Sequence, residues 1–272
     1  MKYKLIACDL DGTLLNSDVD LSYENKAAIT ELVKKGIIFV PATGRSFYEA
    51  PASVREHPDI RYFISSNGSV IQDLKTGERF EFLLDGEKAD KIYAKMRKCN
   101  LLLAQHKNDR TWVDASRLSE DVMDEYNISP NFRNQLKYCT VHSDDLDAEF
   151  SRGEPCEMLS GCFKDRDHLQ LFLDEISDID GIHCTGASSK IVEIISTAAG
   201  KQNAIKFLIE KLGISVDEVI TVGDSRNDTE MIEFSPNSIA MGNAIDELKS
   251  KATHVGCTNN EHIAKYILEN FT

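Results

Sequence analysis

Asp9 and Asp11 stand two positions apart in the stretch Asp9-Leu10-Asp11-Gly12-Thr13, at the end of the short apolar run Leu5-Ile6-Ala7-Cys8. In an extended strand residues i and i+2 point to one side, so both carboxylates face the same way as the strand gives out. Two like charges that close call for a cation between them or a shared proton. Gly12 allows a sharp turn, and Thr13 adds a hydroxyl and a backbone N–H beside it. The group reads as a phosphate and metal site. Three further groups suit the same chemistry: Thr43-Gly44-Arg45, Lys201, and Gly223-Asp224-Ser225-Arg226-Asn227-Asp228.

The elements that must position these residues alternate between strand and helix. Ser22 is placed to cap a helix with Ala28, Ile29, Leu32 and Val33 on one face. Ile37–Val40 is continuous and apolar, as a buried parallel strand is, and leads to Thr43. A third strand, Tyr62–Ser65, runs into the turn sequence Ser66-Asn67-Gly68, and Val70–Gln72 with Arg79–Phe82 reads as a hairpin. Lys190–Ile195 reads as a return to buried core strands, followed by a helix from Lys201 and by Val219–Gly223. Polar residues thus recur at the C-terminal ends of apolar strands, where open parallel sheets bind ligands. The expected fold is α/β, a Rossmann-like parallel sheet with helices on both faces, built from residues 1–82 and 186–272.

Residues 83–185 keep the alternation, but their strands are more polar and none ends in a comparable acidic turn. We expect an inserted α+β cap domain there. Its helices are read over 88–98, 119–126 and 167–176, and its strands over 101–104, 138–141, 158–163 and 182–185. Trp112, Asp109, Arg110 and His106 are residues that could reach toward the site, with no role assigned.

Composition excludes several classes. The chain has 272 residues, 42% hydrophobic and 28% charged, which suits a folded globular protein. A net charge of −14 argues against a nucleic-acid partner. The opening Met1-Lys2-Tyr3-Lys4 leads straight into a strand, and no apolar stretch reaches membrane-spanning length, so neither a membrane partner nor export is expected and the expected location is cytoplasmic. The seven cysteines are odd in number and form no CxxC pair, and read as reduced apolar fillers.

The ordered set Asp9–Thr13, Thr43–Arg45, Lys201 and Gly223–Asp228, joined by Ala240-Met241-Gly242-Asn243-Ala244, resembles the haloacid dehalogenase superfamily and, within it, the Cof-type phosphatases with a large inserted cap of the C2 type. The resemblance spans nearly the whole chain. It implies that Asp9 is a nucleophile that forms an aspartyl-phosphate, and that Asp11 protonates the leaving alkoxide and then deprotonates the attacking water. It implies Mg²⁺ held by Asp9, by the backbone carbonyl of Asp11 and by Asp224, with Asp228 orienting ligands from behind; an all-oxygen donor set suits that ion. Lys201, Thr43, Gly44, Asn227 and the Leu10 N–H would bind the transferring phosphoryl group. The implied partner is a small phosphorylated metabolite such as a phosphosugar, hydrolysed with release of phosphate.

Plainer roles exist for some of these residues. Asn227 or Asp228 would cap the helix holding Met231 and Ile232, Lys201 could be a solvated lysine at a helix start, and Arg45 could pair with a surface acid. For Asp9 beside Asp11 no comparable packing role exists, because two unpartnered acids at a buried strand end are costly. Two other activities remain open on the sequence: a phosphomutase that uses the same nucleophile, and a phosphoacceptor or ligand-binding module that does not turn over. Departures from the family pattern, such as Gln202 after Lys201 where glycine is usual, remove no reacting group.

Overall fold

The computed structural model describes residues 2–99, 101–150, 153–186 and 190–272. Residues 1, 100, 151–152 and 187–189, which the expected division assigns to one domain or the other, lie outside the described residues.

A five-stranded parallel sheet runs in the order His254–Val255, Ser238–Ala240, Val219–Gly223, Leu5–Cys8, Ile38–Pro41. Leu5–Cys8 lies inside the sheet, paired on both sides and fully buried, so its side chains alternate between two apolar faces. Ile6 and Cys8 pack with Ile29 and Leu32 of helix Tyr23–Lys34 and with Ile267 of helix Ile263–Asn270. Leu5 and Ala7 pack on the opposite side with Ala204, Ile205 and Leu208 of helix Lys201–Leu212. Ser22 caps the first of these helices as expected, accepting a 3.2 Å hydrogen bond from the Asn25 N–H.

Tyr62–Ser65, expected as a third parallel strand, instead pairs antiparallel with Val70–Asp73, which pairs in turn with Arg79–Glu81. Among the described residues it joins the parallel sheet through the bridge from Ala42 to Ile64, where Thr43 N–H donates to the Ile64 carbonyl. The neighbouring position two residues earlier is Pro41, which has no N–H to extend that ladder.

A second, mixed sheet of six strands has the order Ile182–Thr185, Ile191–Ser196, Met158–Cys162, Leu102–Lys107, Arg110–Asp114, Val141–Ser143. Ile191–Ser196, read from its apolar run as a core strand, therefore belongs to this sheet, antiparallel to both neighbours. An apolar run marks burial on both faces and carries no label for which sheet buries it. Val192 and Ile194 pack toward helices Gly86–Met96 and Arg166–Ile176, which leaves Glu193 on the face turned to the first domain.

Two other expectations are corrected. Pro130–Tyr138 is a helix, with Ser129 as its N-cap and proline in its first turn, so the strand expected over 138–141 shifts to Val141–Ser143. Leu102–Lys107 and Arg110–Asp114 form a hairpin turned by Asn108 and Asp109, both at positive φ, a pattern that Asn and Asp tolerate. Cys8, Cys156 and Cys162 are buried fillers, whereas Cys139 and Cys184 are exposed. Among the described residues no helix is long and apolar enough to cross a membrane.

Candidate active site

The site lies at the C-terminal ends of the central parallel strands and faces a cavity of about 580 Å³ shared with the second domain. Asp9 follows the first strand directly, its N–H donating to the Val222 carbonyl. Lys201, the first residue of its helix, places Nζ 2.6 Å from Asp9 Oδ1 and 2.7 Å from Asp228 Oδ1, all three side chains being buried. Asp228 Oδ2 accepts the backbone N–H groups of Asp224 (2.9 Å) and Ser225 (3.0 Å), so both its oxygens are committed to holding the loop and the lysine. Asp224 Oδ1 accepts the Thr13 hydroxyl at 3.1 Å.

Carboxylate oxygens of Asp9, Asp224 and Asp228 lie within 4.8 Å of one another. Lys201 pairs with two of these three acids, and a divalent cation would bring the charge count of the group to neutral. Burial pushes Asp9 up from the ordinary carboxylate range; Lys201 opposes this, and Asp228 and Asp224 add to it. Burial, with Asp228 next, pushes Asp224 up to about 7. Burial acts to lower Lys201, but Asp228 and Asp9 outweigh it and leave the lysine charged. The donor set fits a metal ion: Asp9 and Asp224 would hold it, while Asp228 is already occupied.

A stability consequence follows from Asp224. Between its ordinary value near 3.8 and about 7, the metal-free folded protein keeps a proton that the unfolded chain has released. Its contribution therefore falls as pH rises through that window, by on the order of a few kcal/mol. EDTA-treated wild type should lose melting temperature relative to Asp224→Asn as pH is raised from about 4 to about 7. A difference that stays flat or changes the other way would contradict this reading.

Gly12 is required by the turn. It has φ of +75°, and a Cβ there would come within 2.4 Å of Asp224 Oδ2. Asn243 holds the same turn by donating to the Gly12 carbonyl at 2.8 Å. Gly12→Ala should raise the metal concentration for half-maximal turnover by about 10- to 100-fold, the scale seen when a ligand's support is disturbed; an unaltered metal titration would count against the placement of Asp224.

Asp11 turns toward Arg45. The guanidinium donates through Nε (2.7 Å) and Nη2 (2.6 Å) to the two oxygens of Asp11, and its Nη1 donates to the Glu49 carbonyl. Arg45 is buried, while the Asp11 side chain is 47% exposed and borders the cavity. This fork is the main residue role that the linear pattern did not assign, and it replaces the surface pairing considered for Arg45.

Thr43 and Gly44 form the neighbouring wall. Thr43 Oγ1 accepts the Arg45 N–H, and the Thr43 carbonyl accepts the N–H of Asn67, which has φ of +51°. The Asn67 amide donates to Glu193 Oε2 at 2.9 Å, and its Oδ1 is 3.4 Å from Asn227 Nδ2. Asn67 and Glu193 were not among the expected site residues. Leu10 has a buried side chain, so only its backbone can face a ligand.

Of the four reach-in candidates, only His106 lines the cavity. Asp109 pairs with Arg79 and Gln72, Arg110 lies over the Tyr48 ring, and Trp112 packs on the helix-covered face.

A family model of haloacid dehalogenase-like hydrolases matches residues 6–267. The chain belongs to the haloacid dehalogenase-like hydrolases. It is 31% identical, over 98% of its length and 97% of the relative's, to the 5-amino-6-(5-phospho-D-ribitylamino)uracil phosphatase YwtE of Bacillus subtilis. It is 28% identical to a second B. subtilis phosphatase named for that substrate, YcsE, over 97% of this chain and 94% of the other. A solved haloacid dehalogenase-like hydrolase from B. subtilis superposes with a TM-score of 0.83 at 26% identity, with both chains fully covered. Within the haloacid dehalogenase hydrolases this chain is a Cof-type phosphatase. Hydrolases of this superfamily generally use a metal ion, consistent with the acidic cluster around Asp9.

Proposed function

We propose that the enzyme is a Mg²⁺-dependent phosphatase of small phosphate monoesters that works through an aspartyl-phosphate on Asp9. The observation that carries this reading is the Asp9 carboxylate, held through Oδ1 by Lys201, grouped with Asp224, and facing a cavity large enough for a metabolite. An Asp9 oxygen attacks phosphorus as the bond to the ester oxygen breaks, and protonated Asp11 gives its proton to the departing alkoxide. Asp11 then takes a proton from water as that water attacks the acyl-phosphate, which returns the Asp9 carboxylate and releases inorganic phosphate. Lys201 balances charge at the transferring group, and Thr43, Gly44, the Leu10 N–H and Asn227 would position its oxygens. Mg²⁺ held by Asp9 and Asp224, with the Asp11 carbonyl, would let two anions approach and would bind phosphate oxygen.

The leaving-group end of the cavity is lined by both domains, including Ser160, His106 and Glu193 from the second sheet. This supports a phosphorylated sugar or polyol as substrate, in line with relatives named for a ribityl phosphate. A cytoplasmic location accords with such a metabolite. The test is phosphate release across sugar phosphates, polyol phosphates and nucleotides, with Mg²⁺ and with EDTA. Metal-dependent release is expected. Absence of release from every ester, or turnover only with a bisphosphate activator, would overturn the reading, the latter in favour of a mutase.

A further inference from the structure

Glu193 comes from the second sheet yet sits against the phosphate-binding turn. Its neighbours in the strand, Val192 and Ile194, face the helices, so the strand's alternation delivers the carboxylate to the cavity. Oε2 accepts the Asn67 amide at 2.9 Å. Oε1 takes no hydrogen bond among the described residues and lies beside Gly44, 3.2 Å from where a Cβ would stand. Among the described residues no cation of the site pairs with it: Arg45 is bound to Asp11 and the Glu49 carbonyl, and Lys201 is bound to Asp9 and Asp228. His106 is near enough to favour its charge but makes no hydrogen bond to it. Burial accordingly pushes the Glu193 carboxyl up, as happens to a carboxylate short of donors, with the Asn67 bond opposing.

We propose that Glu193 is a specificity-determining residue whose open oxygen accepts a hydrogen bond from a hydroxyl or ammonium group of the substrate, close to the ester carbon. The proposal rests on the phosphatase reading above. Gly44 borders the expected phosphoryl position, so an acceptor beside it meets the first atoms of the leaving group. The enzyme then favours esters of polyhydroxy or amino alcohols over esters whose carbon chain is bare near the phosphate. A buried acceptor left without its donor is costly, which makes the deoxygenated substrate the poorer one.

The test compares kcat/KM for ribitol 5-phosphate with its 4-deoxy and 3-deoxy analogues in wild type, Glu193→Gln and Glu193→Ala, using p-nitrophenyl phosphate to register ester hydrolysis itself. Glutamine keeps an oxygen for the Asn67 amide and presents an NH₂ group to the cavity, so it retains the structural contact while removing the acceptor. Wild type should prefer ribitol 5-phosphate over at least one analogue by about 10-fold or more, the scale of a hydrogen bond to a charged group. Both variants should bring that preference within about threefold. A wild type without the preference, or a Glu193→Gln enzyme that keeps it, overturns the proposal while p-nitrophenyl phosphate turnover leaves the phosphatase reading standing. Failure of wild type to hydrolyse any ester overturns both.

Discussion

Asp9→Asn should reduce turnover by about 10⁴- to 10⁶-fold, the scale for removing a catalytic nucleophile. The amide nitrogen has no lone pair to offer phosphorus, and the oxygen of a neutral amide is a poor nucleophile. Loss of folding is not the expected cause. Three acids crowd together at this site, and burial, with Asp228 and Asp224 beside it, opposes ionisation of Asp9 against the pull of Lys201. Neutralising it leaves Lys201 paired with Asp228 at 2.7 Å. In EDTA the variant should therefore melt no lower than wild type while remaining inactive with metal. Phosphate release measured beside a thermal melt separates the two effects. A variant that keeps even a tenth of wild-type turnover would remove Asp9 from the reaction.

Asp11→Asn should lower turnover of alkyl phosphates by about 10²- to 10⁴-fold, as expected for loss of general acid–base catalysis. Asparagine cannot supply the proton that the alkoxide needs or accept the proton of the attacking water. A nitrophenolate leaving group needs little protonation, so the first half-reaction should survive better than the second. Stopped-flow measurement with p-nitrophenyl phosphate should then show a burst approaching one equivalent of enzyme, followed by slow release. The Arg45 fork shapes the same experiment. Both Asp11 oxygens are bound by one buried guanidinium, so the carboxyl must free one oxygen before it meets the leaving group. Steady turnover equal to wild type, without a burst, would give Asp11 a purely structural part.

Much of the parallel sheet was legible in the chain because burial on both faces leaves an unbroken apolar run, as in Leu5–Cys8 and Val219–Gly223. The same rule misplaced Ile191–Ser196, which is buried against the helices of the other domain. The helix Pro130–Tyr138 was signalled by Ser129-Pro130, a cap followed by a proline in the first turn, and the polar character of its residues obscured it. Pro41, readable in the sequence, shows its effect only once the direction of each neighbouring N–H is known.

By itself the sequence determined which groups can react. Two carboxylates at a strand end, a second acidic loop and a lysine are covalent facts, and the glycine that turns the chain just after the first two follows from the backbone's own sterics. Only the tertiary structure decided how those charges are divided: Lys201 between Asp9 and Asp228, Arg45 across Asp11, and Asn67 between Asn227 and Glu193. Partners that lie 27 to 192 positions apart along the chain meet because sheet order and strand register bring them together, and no local pattern records that distance.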